Sequence, residues 1–284
     1  MKQLIVFLFL GLIIHSPLIA ADKKHIIQQL IELTHLADQA REISSFALNE
    51  ITNRKEGLPD EEYKRLRDSI ALSFNEQRLS KIMRDHLMHQ YDNTLSPLWL
   101  ETLQSAEFKK FAALEIQASK PENFPQLMDY AKHLQKNPAP KTRIALVNKL
   151  NQLTHASNLA IETQVAVAKV LLHAINPTLP SNKQMGTRQI QTALDALRMQ
   201  TSQTLHNFTT VNYLFTYREV SDKELEHYVA LYETPQGQWA TSTLYDAVIK
   251  ALQDAIQQFQ NHALDTPNPP VHRVDITYTF LLAS

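Results

Sequence analysis

The 284 residues include 28 lysines and arginines against 29 aspartates and glutamates, a balance that argues against nucleic acid or an acidic membrane surface as the main partner. There is no cysteine, which excludes disulfides, a thiol nucleophile and a lipid-anchored lipoprotein. Four glycines are too few for tight hairpins or phosphate-cradling loops, and 44% hydrophobic residues suffice for a core held by packing alone.

The chain opens with one positive charge at Lys2, an apolar run from Leu4 to Ile14, and small residues at Ala20 and Ala21. This pattern predicts a secretory signal peptide over residues 1–20, cleavage near Ala20 and a periplasmic location. The run falls short of the roughly 20 apolar residues a membrane span needs, so the mature chain is not expected to be an integral membrane protein.

From Asp22 to Arg54 the periodicity predicts a helical stretch, with Ile26, Leu30, Leu33, Ala37, Ala40 and Ala47 in one stripe. A break is expected near Thr34, whose hydroxyl suits a new helix start. Pro59, Asp60 and Glu61 open the next helix, Ser73 with Glu76 is read as a cap for another, and Ser96-Pro97 starts one reaching Ser119. Four prolines between Lys120 and Pro140 leave room for one short helix and mark a joint. Helices resume over Thr142 to Ile175, Thr187 to Tyr217 and Asp222 to His262. Within the last stretch Ser221 and Glu224 form a capping box, Thr234-Pro235 restarts the helix, and Gly237 suits close packing. After Pro267, Pro269 and Pro270, residues Val274, Ile276, Tyr278 and Phe280 alternate with polar ones as in a strand.

The two long helical stretches match at an offset of 120, with Leu30, Leu33, Thr34, His35, Ala40 and Glu42 falling on Leu150, Leu153, Thr154, His155, Ala160 and Glu162. Further on, at an offset of 126, Leu79, Ile82, Leu87 and Tyr91 fall on Leu205, Phe208, Tyr213 and Tyr217, and Ser105 stands opposite Thr234. The expected fold class is therefore all-α, a tandem duplication of a helical unit forming a bundle, with a short strand-like C-terminal tail. The divisions are residues 21–120 for the first repeat, 121–140 for the joint, 141–263 for the second repeat and 264–284 for the tail.

With Glu224-Leu225, Tyr232, Thr234-Pro235 and Gly237, the second repeat resembles the exported bacterial family known as domain of unknown function 2059. That family's hallmark is an acidic helix start, an aromatic at the helix end, then a Ser/Thr-Pro-x-Gly break. The Leu-x-x-Leu-Thr run opening each repeat is similar to the start of the same domain. The first repeat has Ala106 and Phe108 where Pro and Gly would stand, so its kink is not implied. The resemblance implies a periplasmic all-helical protein and no activity.

Glu-x-x-His occurs at Glu32–His35 and Glu224–His227, the spacing of carboxylate-bridged di-iron sites. Glu32 lies about 200° around the helix from Leu30, however, and so turns to water. His86 and His89 are the other metal candidates, but two ligands make a weak site beside the bland reading of histidines at a helix interface. Catalytic templates are missing, and no catalytic residue or cofactor is expected. The aromatics Tyr213, Phe215, Tyr217, Tyr228, Tyr232 and Trp239 fit a core or a pocket wall. The leading expectation is a non-enzymatic protein-binding or adaptor module, with a protein partner or a homodimer reached through a helix groove or the tail. The alternatives are a carrier of an apolar ligand or lipid held between the two repeats, and a hydrolase or metal enzyme whose site is invisible in sequence.

Overall fold

A computed structural model describes residues 17–55 and 58–265, and among these there are twelve α-helices, a few 3-10 turns and no strand. In order they are α1 (Pro17–Leu33), α2 (Leu36–Thr52), α3 (Asp60–Ser73), α4 (Glu76–His89), α5 (Leu95–Gln104), α6 (Ala106–Ala118), α7 (Phe124–Lys136), α8 (Lys141–Thr154), α9 (Ala156–Ile175), α10 (Thr187–Thr216), α11 (Asp222–Glu233) and α12 (Pro235–Asp265). The fold is an all-α helical bundle. Residues 1–16 of the expected signal peptide, and the tail carrying Val274, Ile276, Tyr278 and Phe280, lie outside the described residues.

Two kinds of break recur among the helices. Between α1 and α2, His35 takes a left-handed conformation at φ 52°, and between α8 and α9 His155 does the same at φ 55°. No other non-glycine among the described residues has positive φ. In both, the preceding threonine hydroxyl donates back to a leucine carbonyl one turn earlier, Thr34 to Leu30 at 2.7 Å and Thr154 to Leu150 at 2.8 Å. The forward cap expected of Thr34 is therefore not made. Its hydroxyl closes the old helix instead, and the turn rests on a histidine in a conformation that costs a non-glycine residue about 1–2 kcal/mol.

The second kind is an extended residue whose hydroxyl caps the next helix. Ser105 (φ −62°, ψ 152°) accepts from Phe108 N at 3.1 Å, and Thr234 (φ −65°, ψ 156°) accepts from Gly237 N at 3.1 Å. The uninterrupted helix expected from Ser96 to Ser119 is thus corrected to two. The cap alone suffices for the break, without proline or glycine. Gly237 has its own reason, since a Cβ there would meet the carbonyl oxygen of Leu231 and come within 2.7 Å of Tyr232 Cα. A smaller correction concerns α4, which is capped by Asn75, accepting from Arg78 N, while Ser73 bonds back to Ser69.

Packing follows the same two-part order. Helices α1 and α2 lie on α4 and α5, while α8 and α9 lie on α10 and α11. The last helix of each half then crosses over: α12 runs along α3, α4 and α5, and α6 reaches α10 and α11. Ala247, Ala251 and Ala255, one turn apart and fully buried, give α12 a flat stripe that faces the core. Arg78 on α4 clamps Asp254 on α12 through two bonds of 2.5 and 2.8 Å. One continuous hydrophobic core therefore runs through both halves. Helix α9 is long and apolar enough to cross a membrane, and half of that window is buried inside the protein, where α9 packs against α10, α12 and α2.

Candidate functional site

The crossing of α6 onto α10 and α11 brings an acid into an aromatic environment. On α6, Phe108, Phe111 and Glu115 recur at three-and-four spacing and share one face. Phe111 stacks on Tyr228 with centroids 4.0 Å apart, and Phe108 packs against Tyr228 and Tyr232 at 5.6 and 6.1 Å. Glu115 is carried to the phenols, and its Oε1 accepts from Tyr217 at 2.5 Å and from Tyr228 at 2.9 Å. Because Tyr228 spends its proton on Glu115, Tyr232 is left to donate to the Tyr228 oxygen, 2.9 Å away. Arg143 on α8 fixes the α10–α11 junction by donating to Asp222 at 2.5 Å and to the Tyr217 carbonyl.

Burial pushes the Glu115 carboxyl above the usual carboxylate range, against the pull of its two phenol bonds and of His35. Burial likewise raises the phenols, Tyr213 to about 12 and Tyr217, Tyr228 and Tyr232 well above their ordinary value. They remain neutral donors throughout the physiological range.

Glu115 forms part of the wall of a cavity of about 660 Å³ bounded by α2 and α6 from the first half and by α8 to α12 from the second. Its surface is mainly apolar, with Phe46, Leu159, Leu205 and Val248 among its walls, and its polar groups include Glu42, Thr154, Tyr213 and Tyr232. Glu115 keeps some accessible surface because it borders this cavity, although its carboxyl is surrounded by protein. Its Oε2 makes no hydrogen bond to a described residue. Glu42 is also raised by burial, then by Asp38, with Arg41 pulling it down.

A corresponding place in the other half is filled. Leu150, Thr154 and Tyr213 of the cavity match Leu30, Thr34 and Leu87 at the offsets seen in the sequence. Counted from the caps Ser105 and Thr234, Glu115 matches Leu244. Leu30, Thr34, Leu87 and Leu244 do meet, together with Trp99 and Trp239, around a residual void of only about 10 Å³. Trp239 is held there by its Nε1, which donates to the Gln90 carbonyl at 3.2 Å.

The residues singled out in the sequence fall into separate places. Leu225 is fully buried, Tyr232 belongs to the phenol cluster, and Thr234, Pro235 and Gly237 build the α11–α12 corner. Glu224 completes the capping box and pairs with Lys110 at 2.6 Å, contacts that hold its carboxyl down at about 2. Glu32 and His227 are exposed. His86 is buried, with neither ring nitrogen hydrogen-bonded, and His89 is exposed, so one helix presents them to different surroundings. Among the described residues no group of three or more histidines, aspartates or glutamates is placed to hold a metal ion. Glu115 itself went unnoticed in the sequence, although an acid four residues after Phe111 on an apolar stripe was a readable signal.

Comparison with known protein families, with curated proteins and with solved structures finds no match for this chain.

Proposed function

We propose that this protein binds a small ligand, an apolar body with one polar end, in the cavity between its two halves, with Glu115 taking the polar end. The observation that carries this reading is the contrast between two corresponding places built on the same backbone turns, one packed solid and the other hollow with an acid in its wall. The volume, about 660 Å³, lies within the range of about 300–1,000 Å³ common to small-molecule sites, and a mainly apolar wall with a few placed polar groups is their usual make-up. This supports the carrier over the adaptor.

The same reading takes the halves as an ancient duplication, supported by the paired left-handed histidines, the paired caps and the reciprocal crossing of α6 and α12. Export to the periplasm and kinship with domain of unknown function 2059 remain part of the proposal, resting on the first residues and on the Tyr232-Thr234-Pro235-Gly237 motif. Native mass spectrometry of the full chain, purified from its own periplasm, tests it. A bound small molecule that disappears when Ala160, in the cavity wall, is replaced by Trp is the expected result. A ligand retained by a folded Ala160→Trp protein, or a wild-type protein that carries nothing and takes up no apolar probe, rejects it.

A further inference from the structure

Among the residues bounding the cavity there are two carboxylic acids, Glu115 and Glu42, and no lysine, arginine or histidine. We infer that the ligand is a cationic amphiphile, whose apolar chain fills the cavity and whose ammonium group is received by Glu115; this rests on the binding role proposed above. A carboxylate or phosphate end would bring a second negative charge beside Glu115 with no cation in the wall to meet it, which is costly where water is scarce. A neutral alcohol would hydrogen-bond but leave the acid without a counter-charge.

Three observations narrow the choice to an ammonium. Oε1 of Glu115 already takes two phenol protons, which orient the carboxyl and leave Oε2 for a third donor. Tyr213 and Tyr232 stand in the same wall, and aromatic faces attract cations. The nearby charges of the first half are committed elsewhere: Asp38 is bonded by His35 at 3.1 Å and by Arg41 at 3.0 Å, and Arg41 also reaches Glu76 at 3.4 Å. Glu42 is thus left without an ion pair among the described residues. Its counterpart Glu162 is clamped by Arg198 at 2.8 and 3.1 Å. The acid of the second half has an arginine and the acid at the cavity has none. Burial raises Glu115 in the wall, and Glu42, exposed at the edge of the cavity, is raised as well.

The experiment is a calorimetric titration of the full chain at pH 7 with decylamine, decanol and decanoate, each as monomers. Decylamine is expected to bind about tenfold tighter than decanol, the worth of a charge-assisted bond, with decanoate weakest. In Glu115→Gln the advantage of the amine over decanol should vanish, and in Glu42→Gln it should shrink less. Equal binding of amine and alcohol, tightest binding of decanoate, or an amine preference that survives Glu115→Gln overturns the cation and leaves the cavity as a ligand site. Failure of all three probes to bind the wild-type protein overturns both. Should Glu115→Gln not fold, the wild-type preference for amine over alcohol must still grow as the pH rises and Glu115 and Glu42 ionise, and a preference flat at every pH overturns the inference.

Discussion

The place where Leu30, Thr34, Leu87 and Leu244 meet and the place where Leu150, Thr154, Tyr213 and Glu115 meet each have a left-handed histidine turn, a back-bonded threonine and a helix crossing from the other half. They differ in two side chains that decide the outcome. Leu87 and Leu244, with Trp239 and Trp99 beside them, close the first to about 10 Å³. Tyr213 and Glu115 cannot collapse in that way, because a phenol and a carboxyl must keep hydrogen-bond partners when buried. Their partners, Thr154 at 3.2 Å and Tyr217 and Tyr228, hold them to the walls and leave about 660 Å³ between. One backbone arrangement thus serves as packing or as a pocket, according to whether its last side chains fill space or need protons.

The most severe way to break this comparison is to put an acid in the filled place. Leu244→Glu inserts a carboxyl among leucines and tryptophans with no phenol to receive it, and should cost about 3–5 kcal/mol in urea unfolding. Glu115→Leu leaves the buried Tyr217 and Tyr228 hydroxyls without their shared acceptor, and should cost about 2–3 kcal/mol and remove the preference for a cationic ligand. At the Thr234 corner, Gly237→Ala drives a Cβ against the backbone of Leu231 and Tyr232 and should cost about 2–3 kcal/mol. Tyr228→Phe removes one of the two protons on Glu115 Oε1, with an expected loss of about 1–2 kcal/mol and a further rise of the Glu115 titration, readable by carboxyl NMR.

Thermal midpoints against pH sharpen the contrast more gently. His86 and His173 are held below the ordinary histidine range, first by burial and then by Lys250 and Lys169 respectively. The unfolded chain therefore binds more protons than the folded one just below about pH 6.5, and stability should fall as the pH drops through that value. Glu115 and Glu42 run the other way: raised in the folded state, they favour folding most below their unfolded value of about 4.5, and that contribution is lost as the pH rises through their folded values. Glu115→Gln should flatten the decline on the alkaline side and leave the acid side unchanged. The smallest effect is expected for Arg198→Ala, which frees the partly exposed Glu162 and should cost less than about 1 kcal/mol.

Much of the bundle was legible in sequence because helix periodicity, capping residues and prolines act over one or two turns. The capping box at Ser221, the restart at Thr234 and the approach allowed by Gly237 all belong to that range. The Ser105 break is obscure in sequence because neither proline nor glycine marks it, while a serine hydroxyl is enough to make it. His35 and His155 were visible as a repeated pair, yet their left-handed backbone was not, since nothing local marks a histidine for it. The acid at the cavity was half legible. Its place one turn after Phe111 puts it on the stripe of Phe108 and Phe111, but nothing local says what it meets there.

Taken alone, the order of residues determined that this chain is helical, where most of its helices begin and end, and that one motif occurs twice, since these depend on neighbours within a few positions. The tertiary structure decided the rest: that α6 and α12 each cross to the other half, that Tyr217 and Tyr228, more than a hundred residues from Glu115, share its oxygen, and that one of two matching places stays open. The physical reason is that a cavity is a failure of distant side chains to fill a space, and which side chains meet is known only once the helices have packed.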